Sequence, residues 1–487
     1  MEVVFDGSPN WTEQGANGGL DPLAMLAPIE RLYTDLLQGV SSVTDRIRYY
    51  SFYCWWVAQF PNRSLEQTQS AFRQHIRDGE VLLGLASLYD HEERGWLNGV
   101  GGATAISEAL SAETEIDLRA LADDYLLTPV YYAAYRSQIT DMGLMVKADK
   151  HSERVPTELG KALGDAFLEQ VGSLPAELFF ECAERGTVTK DKLAALVAFR
   201  CEYLDAQAND PEISLLRRAL TGRDGTGSRR NTCIKILRTV KTEKRELSDY
   251  DLRFIWLETE PDPRERTYKE HVQWRHYQLA DATRIGLEAL LYHATAVLVE
   301  NEGGLSPVQL ASAIVAEVPY DRNFETYLVE LADTLDDCRT LQESAIEGKA
   351  ELTPILRLIA HLWFNYRHLL SEMAEVFPRR GYFHTTHTEF EFLETLLELP
   401  AREAIASLIL QRVIRRHMDV ASRKLRTQGN FTFQFEYEEG TLAPRQTGRV
   451  GPSSPRTGTM IRFLSEVGLL SKAGVTELGE QELLANT

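Results

Sequence analysis

The feature that most constrains this chain is an aromatic run between positions 43 and 60, VTDRIRYYSFYCWWVAQF. Six rings crowd positions 49 to 56: Tyr49, Tyr50, Phe52, Tyr53, Trp55 and Trp56. One helical face cannot hold so many rings, because the periodicity of a helix spreads them around its axis. We therefore expect a helix that is buried on several sides and lies at the centre of a core.

Apolar residues recur at helical spacing through most of the rest of the chain. The segments with this pattern are 23–38, 189–207, 229–245, 271–301, 306–317, 323–346, 351–377 and 388–421. The clearest strand candidate is 431–437, FTFQFEY, in which aromatic and polar residues alternate. The Gly/Pro/Ser-rich segment 440–458 that follows is expected to be a mobile loop or a docking arm. The sequence thus predicts a mainly α, multi-domain helical protein with little β structure.

Two segments of the chain echo each other. Residues 142–160 are MGLMVKADKHSERVPTELG, and residues 467–479 are VGLLSKAGVTELG. In both, a helical pattern ends at Gly-Leu, a short segment with a basic residue follows, and Thr-Glu-Leu-Gly opens another helix. This order is typical of a winged-helix-like unit. The alternative is two unrelated helix–turn segments that share common capping and turn residues.

The length of 487 residues exceeds what one core usually organises, so several domains are expected. The pattern predicts an N-terminal helical domain ending in a winged-helix-like unit (1–170) and a central helical domain with a basic helix (171–380). A C-terminal helical and winged-helix-like domain (381–487) completes the chain.

Charge is distributed unevenly along the sequence. The net charge is −20, yet ten Lys or Arg residues and only two acids lie between Arg217 and Arg245. A cationic helix of this kind favours contact with nucleic-acid phosphates. The candidate contacts are Arg217, Arg218, Arg223, Arg229, Arg230, Lys235, Arg238 and Lys241, with a second cluster at Arg415, Arg416, Arg423 and Lys424. The alternative is a solvated helix that pairs with acidic patches such as 325–337.

No known catalytic motif is present in the sequence, and no cofactor is expected. His384 and His387 are the one metal candidate, although the threonines around them favour the capped start of a helix. The five cysteines are widely spaced without a C-x-x-C pair, which favours free thiols in a reducing cytoplasm. Arginines interrupt the longest apolar segments, so no membrane span is expected.

Residues 36–57, LLQGVSSVTDRIRYYSFYCWWV, resemble the N-terminal signature of a bacterial and archaeal protein family that has no established activity. The matching residues are Gly39, Ser41, Ser42, Arg46, Arg48, Tyr49, Phe52 and Trp55, whereas Gln38 stands where that family has proline. Segments 417–426 and 432–436 are also similar to such proteins. The resemblance implies a component of a prokaryotic defence locus.

The signature itself also suggests two roles for its arginines. Arg46 and Arg48 lie two residues apart beside Tyr49 and Trp55, so at least one guanidinium should be buried, stacked or paired. It would either anchor the core helix to an acidic neighbour or hold a phosphate-bearing ligand.

Together these observations predict a non-enzymatic nucleic-acid-binding or scaffolding component of a multi-protein antiviral or DNA-processing system. Its expected partners are other proteins and DNA, and the sequence leaves the oligomeric state open. Two alternatives remain. A winged-helix transcriptional regulator would use the same elements, and a metal-dependent nuclease would use His384 and His387.

Overall fold

The computed structural model describes residues 21–41, 43–63, 68–89, 99–125, 128–148, 154–202, 204, 210–222, 227–301, 303–377 and 384–486. The chain divides into two compact units, each formed from segments that are distant in sequence. Unit 1 comprises Met1–Leu32 and Arg275–Ser453, and unit 2 comprises Tyr33–Trp274 and Ser454–Thr487. These boundaries do not coincide with the predicted ones near residues 170 and 380. Two helices, Leu26–Leu36 and Tyr268–Val299, run across the boundaries.

Unit 2 is helical with three short antiparallel strand pairs among its described residues. Its α-helices are Arg48–Arg63, Gln69–Leu88, Ala103–Ala112, Leu118–Tyr125, Arg136–Asp141, Glu158–Val171, Ser173–Arg185, Lys190–Ala195, Pro211–Thr221, Ser228–Glu243, Asp249–Glu258, Thr457–Glu466 and Glu477–Leu484, with a π turn at Tyr131–Tyr135 and a 3₁₀ turn at Val197–Phe199. The paired strands are Glu115–Asp117 with Thr187–Thr189, Met145–Lys147 with Arg154–Pro156, and Leu470–Ser471 with Gly474–Val475.

Unit 1 is also helical. Its α-helices are Pro307–Ile314, Phe324–Ala332, Cys338–Glu347, Leu352–Tyr366, Leu370–Val376, Thr386–Glu394, Ala401–Leu408 and Arg416–Gln428, with 3₁₀ turns at Val315–Glu317 and Arg367–Leu369 and a π turn at Ile409–Arg415. Among its described residues, strand Phe435–Glu438 pairs with Thr441–Pro444 in a hairpin. The prediction of a mainly helical protein is therefore confirmed.

The aromatic helix, Arg48–Arg63, lies in the core of unit 2 as its sequence predicted. Trp55 and Trp56 are only 2% and 1% exposed, and Tyr50 and Tyr53 are fully buried. Helix Glu158–Val171 comes close to it because Gly164 has no side chain. A Cβ at Gly164 would lie 3.1 Å from the backbone of Trp55. The core is thus built around rings packed on more than one side of this helix.

The two echoing segments adopt the same local structure. Each consists of a helix, a two-stranded hairpin and a second helix: Arg136–Asp141, Met145–Lys147, Arg154–Pro156 and Glu158–Val171 in the first, and Thr457–Glu466, Leu470–Ser471, Gly474–Val475 and Glu477–Leu484 in the second. Gly143 and Gly468 end the first helices with φ of +75° and +77°, a backbone conformation that suits glycine.

Both second helices begin with the same cap. The hydroxyl of Thr157 accepts a hydrogen bond from the amide of Gly160, and that of Thr476 accepts one from Gly479, both at 3.1 Å. A Cβ at Gly160 would lie 2.0 Å from the carbonyl oxygen of Leu144, and one at Gly479 would lie 2.4 Å from that of Leu469. Each leucine directly follows the glycine that ends the first helix. The repeated letters T-E-L-G therefore encode one structural motif in two places.

The strand prediction at 431–437 is shifted in the structure, because the strand spans Phe435–Glu438. The segment after it does not form the mobile loop that its composition predicts. It forms strand Thr441–Pro444 and then contacts helix Tyr268–Val299 within unit 1. Arg284 donates to the carbonyl of Gly451 at 2.7 Å, and Ser453 donates its amide to Asp281 at 3.0 Å. The loop is anchored up to Ser453.

Within the described part of the chain, no helix is long and apolar enough to cross a membrane. All five cysteines are buried free thiols, in agreement with the sequence.

Candidate functional site

The basic helix, Ser228–Glu243, does not expose the cationic stripe that its sequence suggested. Arg229 is 1% exposed. Its guanidinium donates to four backbone carbonyls, those of Gln38, Asp141, Ala219 and Leu220, at 2.6 to 3.2 Å. A guanidinium held in this way cannot reach a phosphate in the folded protein. Arg229 is therefore removed from the set of candidate contacts, because it binds backbone segments together instead.

The cations further along the basic helix are engaged by acids of unit 2. Lys235 and Arg238 approach the same Glu265 carboxylate at 3.5 and 3.7 Å, and Lys241 pairs with Glu480. Burial also lowers the pKa of Lys235. These contacts agree with the alternative interpretation, in which the basic helix pairs with acids of the same chain. The acids are Glu265 and Glu480, and not those of 325–337.

The remaining predicted cations of this region differ in exposure. Arg217 is half-buried and donates to the carbonyl of Val467 at 3.0 Å. Arg218 is exposed and Arg230 is half-exposed. Arg223 lies outside the described residues. The described cations therefore do not form one continuous basic face here.

The arginines of the signature serve as anchors. Arg48 is 1% exposed and pairs with the buried Glu212 at 3.1 Å. It also donates to the carbonyls of Ala198 and Arg200, both at 2.7 Å. Arg46 pairs with Glu466 at 2.8 Å. These contacts match the structural interpretation, in which an arginine ties the core helix to an acidic neighbour.

Two more signature residues explain why this segment has its sequence. Tyr49 is buried, stacks on Tyr135 at 5.4 Å, and accepts the amide of Gly101 at 3.3 Å. Gly39 has φ of +89°, and a Cβ there would lie 2.8 Å from the guanidinium of Arg229. Gly39 is therefore required by both its conformation and its close neighbour.

The second basic cluster is different, because it lines a cavity in unit 1. The cavity has a volume of about 420 Å³ and is lined by Arg412, Arg415, Arg416 and Arg423, together with His384 and Asp419. We call it the arginine cavity. Arg412 and Arg415 belong to the π turn Ile409–Arg415, and the other two arginines belong to the helix that continues from it. Such π turns within helices are frequently found at functional sites.

One buried acid holds two of these arginines. Arg416 donates to both carboxylate oxygens of Glu389, at 2.7 and 2.9 Å, and both residues are almost fully buried. Arg412 approaches the same carboxylate at 3.7 Å and lies over the Phe392 ring at 3.9 Å. Two guanidinium groups thus share a single negative charge. Arg415 is exposed and makes no ion pair with any described residue. The cavity keeps an excess of positive charge.

His384 lies in the wall of the cavity as a neutral imidazole. Burial, and then the charge of Arg416, lower its pKa to about 4. His387 does not share a site with it and instead approaches Glu391 at 3.6 Å. Over the described residues, no group of three or more His, Cys, Asp or Glu side chains is placed to hold a metal ion.

A short N-terminal segment, Asp21–Met25, is hydrogen-bonded to residues on and near the helix that lines the cavity. The amide of His384 donates to the carbonyl of Ala24 at 3.1 Å, and Lys424 donates to the carbonyl of Asp21 at 2.9 Å. Asp21 and Ala24 have positive φ of 57° and 55°, which is costly for residues other than glycine. Lys424 is therefore a brace for this segment and does not line the cavity.

No family model, curated protein or solved structure matches this chain. The arginine cavity brings together residues that the sequence placed in separate hypotheses, since His384 was a metal candidate and Arg415, Arg416 and Arg423 were phosphate contacts. Arg412 and Glu389 belong to neither predicted set. The spacing of Arg412, Arg416 and Arg423 by four and seven residues, which puts them on one helical face, could have pointed to the shared wall.

Proposed function

We propose that this chain is a non-enzymatic nucleic-acid-binding component of a multi-protein prokaryotic antiviral or DNA-processing system, and that it holds phosphate groups in the arginine cavity. The observation that supports this proposal is the set of four arginines around one cavity of about 420 Å³. Guanidinium groups bind phosphate oxygens through paired, charge-assisted hydrogen bonds. The cellular context rests on the resemblance of residues 36–57 to proteins of defence loci.

The cavity suits phosphate better than it suits a metal-dependent reaction. A metal site would need converging carboxylates, imidazoles or thiolates, whereas guanidinium groups repel cations. The lining carboxylate is Asp419, against four arginines. The proposal therefore assigns the cavity a binding role and leaves the nuclease alternative without support from its histidines.

A salt series tests the proposal. Fluorescence anisotropy of labelled duplex and single-stranded DNA should show binding that weakens as salt rises. The double variant Arg415→Gln with Arg423→Gln should bind every DNA sequence more weakly. The slope of the logarithm of the binding constant against the logarithm of the salt concentration should also become shallower by about 2, since each arginine that contacts phosphate contributes about 1. Arg426→Gln is the matched control, because Arg426 is exposed on the same helix outside the cavity. No binding at low salt would overturn the proposal.

The repeated hairpin motif supports a second candidate, a regulator with two winged-helix-like units. The first hairpin projects Val146 and Val155, which face each other across the strands and are 48% and 43% exposed. Exposed valines flanked by Lys147 and Arg154 suit a wing that lies along a nucleic-acid groove. Footprinting on the promoter of the protein's own gene tests this candidate. Protection of a defined, two-fold operator supports it, and uniform binding contradicts it.

A further inference from the structure

The arginine cavity carries a sharper inference about which phosphate it binds. We propose that it takes a terminal phosphate monoester, the group found at the end of a nucleic-acid strand or on a free nucleotide, in preference to an internal phosphodiester. This inference rests on the proposed function, in which the cavity holds phosphate.

The cavity carries a net positive charge. The four lining arginines contribute four positive charges, and Asp419 with the buried Glu389 contributes two negative charges, which leaves +2. A phosphate monoester carries about −1.5 to −2 at pH 7. An internal phosphodiester carries a single negative charge, so it would leave part of the cavity's charge unbalanced. The match in charge favours the monoester.

The hydrogen-bond donors of the cavity also suit a terminal phosphate. A terminal phosphate has three free oxygens, whereas an internal phosphodiester has two and is attached to the strand on both sides. Arg416 is buried and bound to both oxygens of Glu389, so the lining guanidinium groups that reach solvent are those of Arg412, Arg415 and Arg423. Of these, Arg412 is held in place by the Phe392 ring before a ligand arrives. Preorganised donors lose little freedom on binding. Each guanidinium can donate a pair of hydrogen bonds, so several of them around one ligand suit an acceptor with three free oxygens.

The volume of the cavity and the net charge of the chain also favour a single end group. About 420 Å³ lies in the range of small-ligand sites, which is roughly 300–1,000 Å³. The chain's net charge of −20 opposes broad contact with a polyanion, and the basic helix offers no continuous cationic face. A discrete cavity that receives one end group avoids this repulsion better than a surface that follows a strand.

His384 completes the lining without adding charge. Because its pKa lies near 4, the imidazole is neutral at pH 7 and offers a hydrogen bond. The charged groups that act on it are Arg416, Glu389, Arg412 and Arg423. A monoester gains its second charge near pH 6, so its binding should strengthen between pH 5 and about 7.5. A phosphodiester does not titrate there.

The test compares one oligonucleotide in three forms on the full chain: with a 5′-phosphate, with a 3′-phosphate, and with hydroxyl groups at both ends. Free AMP and inorganic phosphate form further arms. We expect at least one phosphorylated form to bind about tenfold more tightly than the hydroxyl form. Arg415→Gln with Arg423→Gln should remove this preference, and Arg426→Gln should retain it.

The outcomes separate this inference from the proposed function. Equal binding of all three oligonucleotides, lost in the double variant, would overturn the inference and leave the proposed function standing. Binding of AMP alone would support the inference with a free nucleotide as the source, and it would overturn the proposed nucleic-acid function. Tighter binding of an oligonucleotide with a phosphorylated end supports both the inference and the proposed function. If none of the oligonucleotides, AMP or inorganic phosphate binds, both are overturned.

Discussion

Arg416 donates from one guanidinium nitrogen to both carboxylate oxygens of Glu389, at 2.7 and 2.9 Å, and both side chains are 3% exposed. The two residues belong to different helices, Thr386–Glu394 and Arg416–Gln428. Their pair therefore fixes the wall of the arginine cavity relative to the rest of unit 1. It also determines how much positive charge the cavity keeps.

Replacing Glu389 by Gln should destabilise the protein. The variant leaves Arg416 buried without its carboxylate, and breaking a buried ion pair from one side costs about 3–5 kcal/mol. Urea unfolding followed by tryptophan fluorescence measures the loss. Glu391→Gln is the matched control on the same helix, because Glu391 is 44% exposed and should change the free energy of unfolding by less than about 1 kcal/mol. Equal losses in the two variants would show that the pair does not hold the wall.

The sequence predicted local structure better than it predicted the site. The crowding of rings at 49–56 foretold the buried helix, because ring density depends only on neighbouring positions. The repeated T-E-L-G foretold two copies of one cap for the same reason. Glu389 and Arg416 are 27 residues apart, and no periodicity links two helices across such a distance. The site depends on pairings that only the folded chain reveals.

The prediction of an exposed cationic face on the basic helix was wrong. Its apolar residues Cys233, Ile234, Ile236 and Leu237 spread around the helix and are all buried. A helix with apolar residues on several faces is enclosed by its neighbours. This pattern was present in the sequence and could have indicated that Arg229 points into the fold.

Replacing Arg229 by Met should lower the free energy of unfolding, because Arg229 anchors backbone segments inside the protein and is not a surface contact. The change removes the donor to four backbone carbonyls, and each carbonyl left unsatisfied in the interior costs about 1–3 kcal/mol. We expect a loss of more than about 3 kcal/mol in urea unfolding. Arg230→Met is the control, because Arg230 is half-exposed and should lose less than about 1 kcal/mol. An Arg229 variant with unchanged stability would contradict the anchoring role.

Replacing Gly39 by Ala should cost more than replacing Gly143 by Ala. Both glycines have positive φ, +89° and +75°, so each substitution carries a backbone penalty of about 1–2 kcal/mol. Gly39 adds a steric penalty, because its Cβ would lie 2.8 Å from Arg229 and 3.0 Å from Met142. Nothing lies within 4 Å of a Cβ at Gly143. Thermal unfolding should therefore show a lower melting temperature for Gly39→Ala than for Gly143→Ala. Equal melting temperatures would mean that the close contacts at Gly39 add no steric penalty.

The free energy of unfolding should depend on pH because of His417. Its Nε2 accepts the amide of Gln434 at 2.9 Å, so the ring's proton lies on Nδ1, which faces the carbonyl of Pro22 at 3.3 Å. Burial lowers the pKa of His417 from 6.5 to about 4. Between these values the unfolded chain binds a proton that the folded chain does not. The stability that neutral His417 contributes is thus complete above pH 6.5 and is lost as the pH falls towards 4.

Substitution of His417 by Gln should therefore cost less at pH 5 than at pH 7. The unfolded histidine gains about 2 kcal/mol from protonation at pH 5, so the difference in unfolding free energy between wild type and His417→Gln should shrink by about that amount. Urea unfolding at the two pH values measures it. Arg426→Gln, which alters no histidine, should keep the wild-type pH dependence. A difference between wild type and His417→Gln that is the same at both pH values would mean that this imidazole is not held neutral by the fold.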